Sequence, residues 1–125
     1  MSRTLFSAVA ALAFGLGIAN AHAAGDAAEG KKSFAKCHAC HQLVEGKNGV
    51  GPSLHGLFGR KAGTAPGYKY SSAMQSKGVT WDEATLRQYL TDPKGFVPGN
   101  KMAFPGIKKE SELENLIAYL KDATK

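Results

Sequence analysis

The chain has 125 residues, a length that allows one small domain at most. Its 16 basic and 10 acidic side chains give a net charge of +6, and a basic balance suits nucleic acid, an anionic membrane or an acidic protein partner. No long stretch of interleaved basic and aromatic residues stands out, which disfavours nucleic acid and leaves an acidic protein partner or a merely soluble, charged surface.

Residues 1–23 have the pattern of a secretory signal peptide. Arg3 provides a short positive start, an apolar run follows, and AHA at 21–23 is a small-x-small cleavage site. The apolar run is shorter than the roughly 20 residues that a spanning helix needs, so a retained membrane anchor is the lesser alternative. We therefore expect cleavage before Ala24, one domain over residues 24–125, no stable membrane insertion and a periplasmic location.

The first helix is predicted from about Asp26 to Lys36. Ala27, Gly30 and Phe34 recur at spacings of three and four residues, which places them on one helix face. The predicted helix leads directly into KCHACH at residues 36–41, which holds both cysteines of the chain.

Cys37, Cys40 and His41 form a C-x-x-C-H motif, the pattern for covalent attachment of c-type haem. The two sulfurs can add to the two vinyl groups of the porphyrin, and the adjacent histidine can then coordinate the iron. Export agrees with this interpretation, because c-type haem is attached outside the cytoplasm. A C-x-x-C disulfide is the main alternative in an oxidising compartment. A thioredoxin-like redox site would be expected in a βαβ context, and none is visible around the motif. Zinc is disfavoured because His55 stands alone without a second ligand pair.

The second helix is predicted to begin after Thr80, whose side chain and Glu83 fit a T-x-x-E capping box. Pro93 is expected to end it. Its apolar stripe consists of Leu86, Tyr89 and Leu90.

The third helix is predicted from near Ser111, where Ser111 and Glu114 repeat the capping-box pattern. Its buried face is expected to contain Leu113, Leu116, Ile117 and Leu120. Little of the sequence favours β-strands, so the fold class is all-α. Three helices are too few to form a closed hydrophobic core by themselves, so something other than their side chains is expected to fill the interior of the domain.

Two glycine- and proline-rich loops, residues 46–67 and 92–106, are long for so small a domain. The second contains Met102 between two Pro-Gly pairs, where irregular backbone can approach a haem closely. A Met/His pair of axial ligands is typical of electron carriers. Met102 is therefore the candidate for the sixth iron position, whereas Met74 lies in a short, polar, helical stretch and is interpreted as core filler.

The downstream segments extend the pattern beyond the haem motif. With CHACH near the start and NKMAFPG later, the chain resembles the class I cytochromes c, in particular the mitochondrial cytochrome c and bacterial cytochrome c2 group. The resemblance covers nearly all of residues 24–125. It is carried in order by GPSLHGLFGRKAGTAPGYKYS, GVTW, YLTDPKGFVPGNKMAFPGIK and LIAYLK.

The resemblance implies one haem c bound through Cys37 and Cys40, with His41 and Met102 as the axial iron ligands. It also implies that the carbonyl of Pro52 accepts a hydrogen bond from the other ring nitrogen of His41, which sets the tautomer of the ligand.

Five further residues have roles that the resemblance implies. Arg60, Tyr70 and Trp81 would surround the haem propionates, because buried anions need charge or hydrogen-bond donors. Tyr89 would reach the Met102 sulfur, and Phe104 would shield the nearby haem face. Without the resemblance, Trp81 and Tyr89 would be interpreted as core aromatics and Arg60 as a solvated charge.

The fold implied by the resemblance is the cytochrome c fold, with crossing N- and C-terminal helices and short middle helices and loops around one haem. Gly30 and Phe34 would pack across Leu116, Tyr119 and Leu120. A docking ring of lysines would surround the exposed haem edge: Lys36, Lys94, Lys101 and Lys109.

Three residues depart from the mitochondrial pattern. Asn100 replaces a threonine that commonly binds a propionate, Met74 replaces an asparagine of an internal water network, and Gly95 replaces a docking-ring lysine.

The implied function is that of a monomeric one-electron shuttle rather than an enzyme. Its partners would have acidic docking faces: a cytochrome bc1 complex as donor, and an oxidase, a photosynthetic reaction centre or a periplasmic dehydrogenase otherwise. A haem enzyme with Met102 unbound and a haem-free dithiol oxidoreductase are the competing hypotheses.

Overall fold

The computed structural model describes residues 25–125, and the predicted signal peptide and its cleavage point lie outside this range. The described chain forms five helices: α1 Ala27–His38, α2 Ser72–Ser76, α3 Glu83–Thr91, α4 Pro93–Phe96 and α5 Glu110–Ala123. Across 25–125, the only β pairing is one isolated bridge between Lys61 and Thr80, as the all-α prediction requires. None of the helices in this range is long and apolar enough to cross a bilayer.

The first and last helices cross at Gly30. A Cβ atom at Gly30 would lie 1.9 Å from the backbone oxygen of Asn115, so only a glycine allows this approach. Phe34 packs beside the crossing, with its ring centroid 5.3 Å from that of Tyr119. The predicted contact between the terminal helices is therefore confirmed.

The start of α1 follows from its capping residue. The Asp26 carboxylate accepts hydrogen bonds from the N–H groups of Ala28 and Glu29, which otherwise have no partner inside the helix. The helix therefore begins where it was predicted, to within one residue. It continues two residues beyond the predicted end, to His38, which brings the first cysteine into its last turn.

Both predicted capping boxes were wrong. Asp82, not Thr80, caps α3, and its reciprocal partner is Thr85. The helix also ends at Thr91, while Pro93 begins α4, because proline suits a first helical position.

The start of α5 also differs from the prediction. The helix begins at Glu110, and its N-cap residue Lys109 makes no side-chain capping bond. Glu110 and Glu112 place negative charge in the first turn instead, where it interacts favourably with the helix dipole.

The apolar residues form two clusters. The first joins the terminal helices and consists of Phe34, Leu90, Ile107, Leu113, Leu116, Ile117 and Leu120. The second joins the middle of the chain and consists of Leu57, Ala62, Met74, Trp81, Leu86, Tyr89 and Val97. Residues from both clusters line one cavity, so the side chains alone do not fill the interior.

The long loops are held together by side-chain amides and by close backbone approach. The Asn48 amide donates to the carbonyl of Pro66 at 2.9 Å, and its oxygen accepts from the N–H of Ser53 at 2.9 Å. Gly106 has a φ of +106°, and a Cβ there would lie 2.3 Å from the oxygen of Thr91. These contacts fix the loops around the cavity.

Candidate functional site

A cavity of about 260 Å³ is lined by residues of both clusters, and all the residues predicted to ligate the iron or contact the haem are among its lining. The walls are largely apolar and aromatic, with a few polar groups among them. The lining includes Cys37, Cys40, His41, Pro52, Arg60, Tyr70, Trp81, Tyr89, Met102 and Phe104.

The C-x-x-C-H motif lies where α1 ends. The N–H groups of Cys40 and His41 both donate to the carbonyl of Cys37, at 3.1 and 2.9 Å, so the chain folds back tightly. The two thiols are not joined in a disulfide. Burial, partly offset by Lys36, raises the pKa of the Cys37 thiol to about 11. Dithiol oxidoreductases depend on a lowered cysteine pKa, so this environment does not suit that chemistry.

The His41 ring is fixed from two directions. Its Nδ1 lies 2.8 Å from the carbonyl oxygen of Pro52, and this contact was predicted. Because a carbonyl can only accept, Nδ1 carries the proton and Nε2 keeps its lone pair. Gly51 lies against the ring, where a Cβ would be 2.4 Å from Cε1.

The protonation state of His41 suits metal binding. Burial lowers the pKa of the imidazole, the bond to Pro52 opposes this shift, and the Arg60 charge lowers the pKa further. A neutral imidazole with a fixed tautomer is the form that coordinates a metal.

Met102 lies in the loop after α4, and polar groups approach its sulfur and its backbone. The Tyr89 hydroxyl donates to Met102 Sδ at 3.8 Å. The side-chain oxygen of Asn100 accepts from the backbone N–H of Met102 at 2.8 Å. Burial raises the pKa of Tyr89 to about 12, so its phenol stays protonated and remains a donor.

Arg60 contributes a cation with an unused donor. Its Nη1 donates to the carbonyls of Ser53 and His55 at 3.0 and 3.1 Å. Its Nε is the one buried side-chain nitrogen or oxygen without a partner within residues 25–125. A buried guanidinium donor without an acceptor indicates that an anionic group belongs beside it.

Comparisons with known proteins agree with this geometry. The profile of the family described as "Cytochrome c" matches residues 27–124. A "Cytochrome c-550" of Bradyrhizobium diazoefficiens is 59% identical over 95 residues, which cover 75% of this chain and 70% of the relative. A "Cytochrome c2 iso-2" of Magnetospirillum fulvum is 54% identical and is covered over 98% of its length, against 75% of this chain.

The chain belongs to the cytochrome c family. The solved structure "cytochrome cH from Methylobacterium extorquens" is 55% identical and superposes with a TM-score of 0.73, covering 78% of this chain and 98% of that one. The predicted cytochrome c fold is therefore confirmed. As a cytochrome c, the protein carries one covalently bound haem c and acts as an electron carrier.

The cavity of this cytochrome c fits a haem in two respects. Its apolar lining suits a porphyrin, and the unused Arg60 Nε suits a propionate at the polar end. Tyr70 also lines the cavity, and its hydroxyl accepts a hydrogen bond from the N–H of Ala65 at 3.0 Å while it can still donate its own proton. Trp81 is buried, and its ring centroid lies 5.1 Å from that of Tyr89.

The sequence analysis did not identify two residues that shape the site of this cytochrome. Gly51 is required by its contact with the His41 ring, and its position before proline in GVGPS was the available signal. Tyr68 donates to the carbonyl of Val50 at 2.7 Å and its ring packs edge-on against Tyr70. No sequence pattern distinguished Tyr68 from an ordinary loop aromatic.

The residues of the predicted docking ring are exposed, but two of them have partners. Lys36 Nζ lies 2.5 Å from a carboxylate oxygen of Glu112 on α5. Lys101 Nζ donates to the carbonyl of Lys69 at 3.2 Å, which joins the methionine loop to the opposite loop. Lys94 and Lys109 are exposed.

Gly95, where the docking ring lacks a lysine, has a local role. Its N–H donates to one carboxylate oxygen of Asp92, and a Cβ would lie 2.0 Å from the other. A side chain at this position would displace the cap of α4.

Proposed function

We propose that the protein is a soluble periplasmic one-electron carrier whose haem is attached through Cys37 and Cys40 and ligated by His41 and Met102. The observation that carries this proposal is the pairing of the two candidate ligands. His41, with its free Nε2, and Met102, whose sulfur lies 3.8 Å from the Tyr89 hydroxyl, line the same cavity. The haem iron supplies the one-electron chemistry, and the protein supplies the environment.

In this proposal, separate groups of residues hold the two axial ligands. Pro52 and Gly51 hold the imidazole in one tautomer and orientation, while Tyr89 and Asn100 hold the methionine. Because both ligands are fixed, little rearrangement accompanies electron transfer.

The remaining lining residues control polarity. Arg60, Tyr70 and Trp81 would stabilise the propionates, since buried carboxylates without donors are costly. Phe104 is partly buried beside the first cluster and would exclude water from the Met102 side. An apolar pocket of this kind favours the less charged, ferrous form.

The exposed lysines support docking to acidic redox proteins. After removal of the predicted signal peptide, which holds Arg3 and no acidic residue, 15 basic and 10 acidic side chains leave a net charge of +5. The protein would be steered toward partners of opposite sign. A cytochrome bc1 complex is the proposed donor, with an oxidase, a reaction centre or a periplasmic dehydrogenase as the other partners. Contacts of this kind are small and transient, in keeping with a monomeric shuttle rather than an enzyme.

The optical spectrum of the periplasmically expressed protein tests the proposal. We expect a red protein with a c-type haem spectrum and, when oxidised, a far-red charge-transfer band from methionine to ferric iron. Absence of that band together with rapid binding of cyanide or carbon monoxide would indicate an open iron position and a haem enzyme instead. A colourless protein with two titratable thiols would indicate a dithiol oxidoreductase.

A further inference from the structure

Asn100 is the most heavily bonded side chain next to the proposed methionine ligand. Its amide nitrogen donates to the carbonyls of Pro93 at 2.9 Å and Val97 at 2.8 Å. Its amide oxygen accepts from the N–H of Met102 at 2.8 Å and makes a longer contact, 3.4 Å, with the Tyr89 hydroxyl. One side chain thus connects α3, α4 and the methionine loop.

These bonds determine which way the amide points. The carbonyls of Pro93 and Val97 can only accept, and the N–H of Met102 can only donate. A flipped amide would place like groups together at three positions. Both amide protons and both sides of the oxygen are in use, so the side chain has no donor left for a propionate. Asn100 therefore lacks the hydrogen bond to a propionate that a threonine would make at this position, and instead holds the methionine loop to α4.

The anchor is connected to a rigid part of the core. Pro93 is fully buried and Val97 is 1% exposed, so the carbonyls that hold the amide are fixed by packing. The backbone N–H of Asn100 also donates to the carbonyl of Val97 at 3.1 Å, across the turn at Pro98-Gly99. Gly99 has a φ of +88°, which a glycine allows without strain. Through these hydrogen bonds, Asn100 holds the backbone of Met102 at a fixed position relative to α4.

We propose that Asn100 is a positioning residue that holds Met102 against the iron and limits how often the methionine leaves it. It acts on the ligand backbone through the Met102 N–H and on the ligand sulfur through Tyr89. A threonine hydroxyl offers one donor and cannot reach two carbonyls and the Met102 N–H together. The inference rests on the proposed ligation by Met102.

The rate of cyanide binding to the oxidised holoprotein at one fixed pH tests the inference, because cyanide can bind only after the methionine leaves. Asn100→Ala removes the hydrogen bonds that join Met102 to the carbonyls of Pro93 and Val97, so the rate should rise roughly tenfold or more. Asn100→Thr should give an intermediate rate. Exchange of the Met102 amide hydrogen in the reduced protein should accelerate in the same order.

Asn48→Ala is the matched control. It removes two amide bonds of the same kind that join other loops, and it should lower stability without changing the cyanide rate. Wild-type cyanide binding in Asn100→Ala, or equal acceleration in Asn48→Ala, would overturn the inference. Both outcomes leave the far-red band of the wild type in place, whereas its absence in the wild type would overturn the ligation itself.

Discussion

The two sides of the cavity are built differently. On the first side, His41 lies just after α1 in the C-x-x-C-H motif. Its ring is held by the 2.8 Å hydrogen bond to the carbonyl of Pro52 and by the backbone of Gly51. The Met102 side lies in a loop, where the sulfur has one long contact at 3.8 Å and relies on Asn100. Ligand exchange is therefore expected on the Met102 side, while the His41 side stays closed.

The largest effect should come from the His41 side. In Gly51→Ala, the new methyl group would lie 2.4 Å from Cε1 of His41, so the ring or the loop must move. We expect a loss of about 2 kcal/mol or more in the free energy of unfolding, with a lower yield of holoprotein. Chemical denaturation of the holoprotein measures this loss of stability.

Gly49→Ala is the control for this substitution. Its new methyl group would lie 3.4 Å from the carbonyl oxygen of Cys40, a tolerable contact, and Gly49 has no positive φ. Equal losses in both variants would show that the contact with His41 is not what restricts Gly51.

On the Met102 side, removing one hydroxyl should have a smaller effect. Tyr89→Phe keeps the buried ring and loses the contacts with Met102 Sδ and Asn100. Because the sulfur contact is long and weak, we expect cyanide binding to accelerate by only about threefold and the reduction potential to shift. An unchanged potential and an unchanged rate would remove Tyr89 from the ligand environment.

The smallest effect concerns the ion pair that links the end of α1 to α5. Lys36 lowers the pKa of Glu112 below its ordinary value of 4.5. A lowered carboxyl pKa contributes stability above the unfolded value, and this contribution is lost as pH falls through the folded value. Lys36→Gln should therefore destabilise the protein near pH 7, by about 0.5 kcal/mol or less because the pair is solvent-screened.

Urea denaturation at several pH values measures this effect. The difference between wild type and Lys36→Gln should begin to shrink below pH 4.5 and disappear once the pH has fallen below the lowered pKa of Glu112 in the folded protein. Lys32→Gln, which breaks an exposed pair with Glu29 within α1 only, is the control for general charge effects. A difference that persists unchanged in acid would contradict the ion-pair explanation.

The sequence predicted the His41 side better than the Met102 side for a physical reason. Cys37, Cys40 and His41 are close in sequence, so their spacing alone predicts that their side chains lie near one another. The role of Asn100 depends on the carbonyls of Pro93 and Val97 at the two ends of α4, a short helix inside the stretch 92–106 that the sequence analysis interpreted as a loop. Such long-range partners appear only when the backbone is known.

The helix caps illustrate the same limit. The sequence analysis predicted a capping box of Thr80 and Glu83 at the start of α3, whereas the backbone places Asp82 at the N-cap with Thr85 as its partner. By contrast, periodicity predicted the buried faces of α3 and α5, because several residues contribute to each pattern. The roles of the site residues toward the haem stay predictions.

The identity of the second iron ligand is the central claim, and proton NMR of the reduced protein tests it most directly. A methionine methyl group bound to ferrous haem lies over the ring and is shifted far upfield by the ring current. We predict one such resonance in the wild type, its loss in Met102→Ala, and its retention in Met74→Ala, although Met74 lines the same cavity. An upfield methyl resonance that survives in Met102→Ala would contradict the account.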